Sequence, residues 1–207
     1  MPRYVAPGPL RTLHVELASA RLRLEPLGEH HLDGLLALFD AEIWRWYSVT
    51  LDSRDAQERW LRGLLAEQSR GAVMAYAARE LEHGELVGST SYLNIVVPHR
   101  RVEIGSTWWA PRWQRTFVNT TAKRLMLAHA FEAMGALAVE LRTDALNARS
   151  RAAIERLGAS CDGLLRAQRI CDDGRVRNTV VYSLLDVEWP AVRDRLLAAE
   201  RDAAAGP

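Results

Sequence analysis

Apolar and polar positions alternate along this chain in short segments of two kinds. Residues 20–27 set Leu22, Leu24 and Leu27 against Arg21, Arg23 and Glu25, a strand pattern stopped near Pro26. Leu32, Leu35, Leu36 and Phe39 then fall on one side of a short helix over residues 29–39. Ile43-Trp44-Arg45-Trp46-Tyr47 crowds three aromatics into a predicted loop, where they either line a pocket or plug a gap beneath the helices. Ser53 can cap a further helix carrying Trp60, Leu61, Leu64 and Leu65. Residues 73–79 and 85–94 read as strands joined by a tight turn at Glu82-His83-Gly84, and residues 101–109 as the next strand.

The stretch from Trp108 to Gly158 is the most informative. Asn119 and Thr120 can cap a helix running to Met134, in which Leu127, Ala130, Phe131 and Met134 recur at helical spacing beside Ala122, Leu125 and Met126. So wide an apolar surface predicts burial on more than one side. In the strand over residues 138–144, Val139, Leu141 and Thr143 face one way and Glu140, Arg142 and Asp144 the other. Asn147 caps a second helix over residues 147–157, with Gly158 just past its end. Residues 160–170 and 176–185 form a long hairpin about Asp172-Asp173-Gly174, and residues 188–204 a helical tail. The order predicts one α+β domain with a mixed, mostly antiparallel sheet.

Composition narrows the function. The 207 residues are 48% hydrophobic and 26% charged, with a formal net charge of +1 and the arginines spread out, so nothing suggests a nucleic-acid partner. No apolar stretch approaches a membrane span, and the start lacks the apolar core of a signal peptide; the expected location is the cytoplasm. Cys161 and Cys171 read as reduced thiols, and no metal is expected. Residues 1–15, with three prolines and a glycine, read as a flexible arm. The loop from Trp109 to Asn119 leads from a strand end into a helix N-terminus. Such a place suits phosphate, or Asn119 simply caps a structural helix.

Trp113-Gln114-Arg115-Thr116-Phe117-Val118-Asn119 before one helix and Asp144-x-x-Asn147-x-x-Ser150 before the next resemble the GNAT acetyltransferases. Glu103-Ile104-Gly105, Arg156-Leu157-Gly158-Ala159, Gly163-Leu164-Leu165-Arg166 before Asp173-Gly174-Arg175, and Val181-Tyr182-Ser183-Leu184-Leu185 with Glu188-Trp189 fit as well. The order is most similar to the RimJ/RimL branch, which acetylates ribosomal-protein N-termini. It covers roughly residues 20–190, which places the acetyltransferase domain at 16–190 and a helical tail at 191–207.

The resemblance implies a sheet of six or seven strands, splayed centrally around acetyl-CoA, the co-substrate. Gln114, Arg115, Thr116, Phe117, Val118, Asn119, Thr120, Asn147 and Ser150 are its expected contacts. The family's phosphate loop usually reads Q/R-x-x-G-x-G/A; Gln114 matches, and Phe117 and Asn119 stand where the glycines would be. Ile154 replaces the tyrosine by which many relatives protonate the leaving thiolate, so Ser150 takes that role by resemblance, with Glu103 as base. Both residues have structural alternatives: helix capping for Ser150, and pairing with Arg101 for Glu103. Trp44, Trp46, Tyr47 and Trp108 are the expected walls of the acceptor site. The expected acceptor is a primary amine, a protein N-terminal α-amine. An antibiotic-type small amine, or a non-catalytic domain that binds acyl-CoA or a partner, are the alternatives. The aromatic and arginine content permits a homodimer.

Overall fold

The computed structural model describes residues 8–205. Its strands are β1 (Leu17–Ala18), β2 (Leu22–Pro26), β3 (Met74–Glu80), β4 (Leu86–Val96), β5 (Arg101–Trp109), β6 (Ala138–Asp144), β7 (Ser160–Ile170) and β8 (Val176–Leu185). Its helices are α1 (Leu32–Leu36), α2 (Ala41–Trp44), α3 (Arg54–Ser69), α4 (Phe117–Ala128), α5 (Ala148–Arg156) and α6 (Trp189–Ala205). The strands form one sheet in the order β1-β2-β3-β4-β5-β6-β8-β7. Each neighbouring pair is antiparallel except β5–β6, which is parallel and bridged by α4. Eight strands replace the expected six or seven; one of them is the two-residue β1.

Each face of the sheet carries its own core, as strand alternation requires. Val102 and Ile104 of β5 pack with Val118, Ala122, Met126 and Leu127 of α4, Ile154 of α5, and Val192 and Leu196 of α6. On the other face, Ala75, Ala77 and Trp108 meet Leu35 and Leu36 of α1, Trp44 of α2, and Leu61 and Leu64 of α3. The wide apolar surface predicted for the central helix is thus α4 lying between the sheet and α6.

Some expectations are corrected. Thr116, not Asn119 or Thr120, caps α4, its Oγ1 accepting the Val118 N–H at 3.4 Å. The helix therefore starts two residues early, because Thr116 is the residue held in extended backbone with a side-chain acceptor. The chain runs on from Ala128 through a π-type turn over His129–Ala133. The predicted aromatic loop is helical at its start, with Asp40 capping α2. Within the expected arm, Leu10 is buried and donates its N–H to the Val97 carbonyl at 3.2 Å, and Arg11 does the same to Met134 at 2.9 Å. Residues 1–7 lie outside the described residues.

Gly88 of β4 fixes how closely β5 can approach. Its φ is +150°, and a Cβ there would meet the Trp108 carbonyl oxygen at 2.1 Å. We expect Gly88→Ala to destabilise the protein by about 2–3 kcal/mol, from backbone strain and clash together. Urea unfolding measures this; a loss below about 0.5 kcal/mol contradicts it.

Candidate active site

The site begins with one extra residue. Ser89 of β4 pairs with Trp108 of β5, but Ser91 pairs with Gly105, so two steps on β4 face three on β5. The surplus is a β-bulge at residues 106–107, with Ser106 at φ +46°. A bulge of one residue reverses which side chains face which way beyond it. Before it, Val102 and Ile104 point toward α4; after it, Thr107 and Trp109 do. Glu103, Gly105 and Trp108 share the opposite face.

β5 also parts from β6 here. The two are paired only from Arg101↔Ala138 to Glu103↔Glu140. Beyond Glu103 they diverge, and the opening lies between them. The helices following the two strands, α4 and α5, begin at its mouth, so two sets of free backbone N–H groups converge there. Gln114 spans the mouth: its Nε2 donates to the Trp109 carbonyl at 3.0 Å, and its Oε1 accepts from the Arg149 guanidinium of α5 at 2.7 Å.

The expected cofactor residues divide into groups. Arg115, Thr116, Phe117 and Thr120 line an open cleft of about 420 Å³ with Arg21 and Glu200, and the Arg21 guanidinium lies 3.8 Å over the Phe117 ring. Val118 is wholly buried, and only its backbone borders the loop. Asn119 Oδ1 accepts the Trp109 indole N–H at 3.0 Å. Asn147 caps α5, accepting the Ser150 N–H at 3.0 Å; no bond to the Ser150 hydroxyl occurs among the described residues. The left-handed residue of the loop is Arg115, φ +63°, while Phe117 and Asn119 are helical. The two replaced glycines therefore cause no backbone strain; what strain exists is at Arg115.

On the α4 side, Lys123 is buried between helix and sheet. Its Nζ donates to Thr107 Oγ1 at 2.9 Å, and Thr107 Oγ1 lies 2.7 Å from Thr90 Oγ1. No carboxylate lies within ion-pair distance among the described residues. Burial pushes the ammonium pKa down to about 7, opposed weakly by Glu103.

The opposite face is charged along β6 and aromatic beside β5. Glu103 is buried, which raises its pKa above the ordinary carboxylate value. It accepts a hydrogen bond from Asn94 Nδ2 at 2.6 Å and faces Arg142 at 3.4 Å. The expected partner Arg101 binds Glu140 instead, at 2.8 Å. Asp144 is paired with Arg175 at 2.7 Å. Trp44, Tyr47 and Trp108 gather with Phe39 and Trp60; the Trp44 and Trp108 ring centres are 5.3 Å apart. Trp46 stands apart, its ring 5.2 Å from the Arg45 guanidinium and its carbonyl held by Arg177. Trp44 Nε1, Tyr47 OH, Ser89 Oγ, Ser91 Oγ and Trp108 Nε1 are buried without a hydrogen-bond partner among the described residues. Such orphans cost free energy unless a bound group satisfies them.

Sequence reasoning missed Lys123, Arg149, Asn94 and the two serines of β4. Lys123 alone left a signal, as the one charged residue on an otherwise apolar helical face. The buried lysine carries a stability signature. The unfolded side chain titrates near 10.5 and the folded one at about 7, so the folded state binds fewer protons between those values and stability rises with pH across them. Below about pH 7 the whole penalty is present. We expect Lys123→Met to stabilise the protein by about 1–4 kcal/mol near pH 6, with the gain shrinking toward pH 10. Urea titrations at the two pH values check this; a pH-independent or negative effect contradicts it.

Comparison with known proteins agrees with this architecture. Residues 21–160 match the acetyltransferase (GNAT) domain family. A Bacillus subtilis protein with the provisional name ribosomal N-acetyltransferase YdaF is 33% identical over 109 residues, which are 53% of this chain and 58% of YdaF, less than two thirds of that relative. The crystal structure of a GCN5-related N-acetyltransferase from Brucella melitensis superposes with a TM-score of 0.85 at 27% identity, covering 92% of this chain and 87% of that one. RimJ of Mycobacterium smegmatis, solved in complex with CoA-disulfide, shares the fold with a TM-score of 0.75 at 24% identity, covering 94% of each chain. The chain belongs to the GNAT family of acetyltransferases.

Proposed function

We propose that this enzyme transfers the acetyl group of acetyl-CoA to the α-amine of a protein N-terminus. The opening between β5 and β6 fits the co-substrate. It is framed by two helix N-termini, which suit a pyrophosphate, and by Arg149, which suits phosphate oxygens. The parting of the strands leaves room for an extended chain that pairs with neither.

The observation that carries the choice of acceptor is the set of orphaned polar atoms on the Glu103 face. Two indole N–H groups can only donate, and the hydroxyls of Tyr47, Ser89 and Ser91 can donate too. A peptide supplies carbonyl oxygens to such groups. A polycationic small molecule would need free carboxylates, and Glu103, Glu140 and Asp144 are each already matched by an arginine. Trp44, Tyr47 and Trp108 then wall the acceptor site, with Trp46 at its rim. No helix among the described residues is long and apolar enough to cross a membrane, and the cytoplasm is the proposed place of action.

In this reading Glu103 takes the proton of the attacking amine, and the Ser150 hydroxyl, which holds no other bond among the described residues, supports the departing thiolate. Gln114, Thr116, Asn119, Thr120 and Asn147 shape the loop and helix ends that receive the phosphates, with Phe117 and Val118 fixing the loop to the core. Positioning accounts for much of the remaining rate.

Thiol release from acetyl-CoA tests the acceptor. Short peptides with a free N-terminus should turn over faster than aminoglycosides or polyamines, and the reverse order overturns the assignment. Ser150→Ala should lower kcat about 10–100-fold with little change in KM for acetyl-CoA. Glu103 works only as carboxylate, so activity should fall as pH drops through its raised pKa. Glu103→Gln should be slow and lack that acid limb; a variant keeping the wild-type limb rules out this base.

A further inference from the structure

One demand of acyl transfer is left unmet by Glu103 and Ser150. When the amine attacks, the carbonyl π pair moves onto oxygen, and that oxyanion needs a donor or a positive charge. We infer that Lys123, held by Thr107 at the β5 bulge, supplies this charge. The inference rests on the proposed use of the β5–β6 opening for the thioester.

Three observations place it there. Thr107 belongs to the bulge and lies beyond Glu103↔Glu140, the last pair before the strands part, so it borders the opening from the α4 side. Lys123 Nζ is 2.9 Å from its hydroxyl, and an ammonium has three N–H donors, of which Thr107 fills one. No counter-charge neutralises Lys123 among the described residues, although an unpaired buried lysine is costly and a leucine or methionine would fill the same space. A buried cation with spare donors, fixed at the bulge where β5 parts from β6, is arranged for a charge that appears only during the reaction.

The neutral amine nitrogen bonds to the thioester carbon while the carbonyl pair moves to oxygen, facing the Lys123 ammonium. The pair returns, the C–S bond breaks and its electrons leave on sulfur, supported by Ser150. The amine's extra proton goes to Glu103. Lys123 keeps its proton throughout and returns to Thr107.

Protonation of Lys123 sets the upper pH limit. Glu103, on the opposite face of β5, favours the charged form. Tyr92 of β4 and Tyr76 of β3 are phenols kept neutral by burial, and His129 farther along α4 is likewise kept uncharged. Arg124 of α4 is tied to Glu200 of α6. With a folded pKa of about 7 the ammonium fraction falls through the neutral range, and an oxyanion or carbonyl dipole beside it pulls protons back.

Two variants and two readouts test this. Wild-type kcat should decline on the alkaline side of its optimum. Lys123→Met should lose about 10–100-fold in kcat with acetyl-CoA affinity unchanged, and should lack the alkaline limb. Lys123→Arg, charged at every accessible pH, should keep more activity than Lys123→Met and also lack the limb. Independently of turnover, calorimetry of acetyl-CoA binding near pH 7 in two buffers of different ionisation enthalpy should show proton uptake by wild type and none by Lys123→Met. A Lys123→Met enzyme with wild-type kcat, limb and proton uptake overturns the role of Lys123 while leaving the acetyltransferase reading intact. Failure of the wild type to bind acetyl-CoA overturns both.

Discussion

The whole of the proposed site depends on how β5 leaves its neighbours. On one side it carries a surplus residue relative to β4, and on the other it abandons β6 after three paired positions. Hydrogen bonding within a sheet is close to obligatory for buried backbone, so a central strand that gives up its partner must find another. The bulge and the parting together create a gap inside an otherwise continuous sheet. The helices that follow each diverging strand bring their N-termini to the mouth of that gap. An anion-favouring entrance and a backbone-lined interior thus arise from one departure from regular pairing.

The same bulge separates charge by sign. Glu103 sits before it and Lys123 reaches the residue after it, so an acid and a base occupy opposite faces of one strand. Burial shifts each toward its neutral form: the carboxyl upward, the ammonium down to about 7. Their mutual attraction is weak compared with desolvation, as expected for groups on opposite faces. Lys123 therefore changes protonation near neutrality, and Glu103 keeps its proton to a higher pH than an ordinary carboxyl does. Of the surrounding arginines, Arg101 and Arg142 bind Glu140, Arg142 also faces Glu103, and Arg175 binds Asp144.

Much of the fold was legible because its periods are clean. The alternation of Leu22 and Leu24, of Val139 and Leu141, and the helical recurrence around Leu127 and Phe131 report directly on burial. Capping was legible where one residue could serve, as at Ser53 and Asn147. It misled at α4, where Thr116, Asn119 and Thr120 are all competent caps and only the geometry of the preceding turn selects Thr116. The loop from Trp109 to Asn119 was legible from its place between a strand and a helix. Its left-handed residue was not, because Arg115 gives no sign of φ +63°. The bulge was hidden for a similar reason: one surplus residue shows only when two strands are laid side by side. With the bulge hidden, Thr107 could not be assigned a face, and Lys123 read as an ordinary helix residue. The aromatic group around Trp44 and Trp108 was anticipated, while Trp46 was drawn away by Arg45 and Arg177.

The gap between β5 and β6 is proposed to receive acetyl-CoA with its phosphates at the mouth shared by α4 and α5. Calorimetric titration of wild type and Arg149→Ala with acetyl-CoA and with free CoA tests it most directly. Dissociation constants of about micromolar size are expected for both ligands with wild type, and a loss of about tenfold for both in the variant. Absence of binding by wild type, or equal binding by the variant, would contradict it.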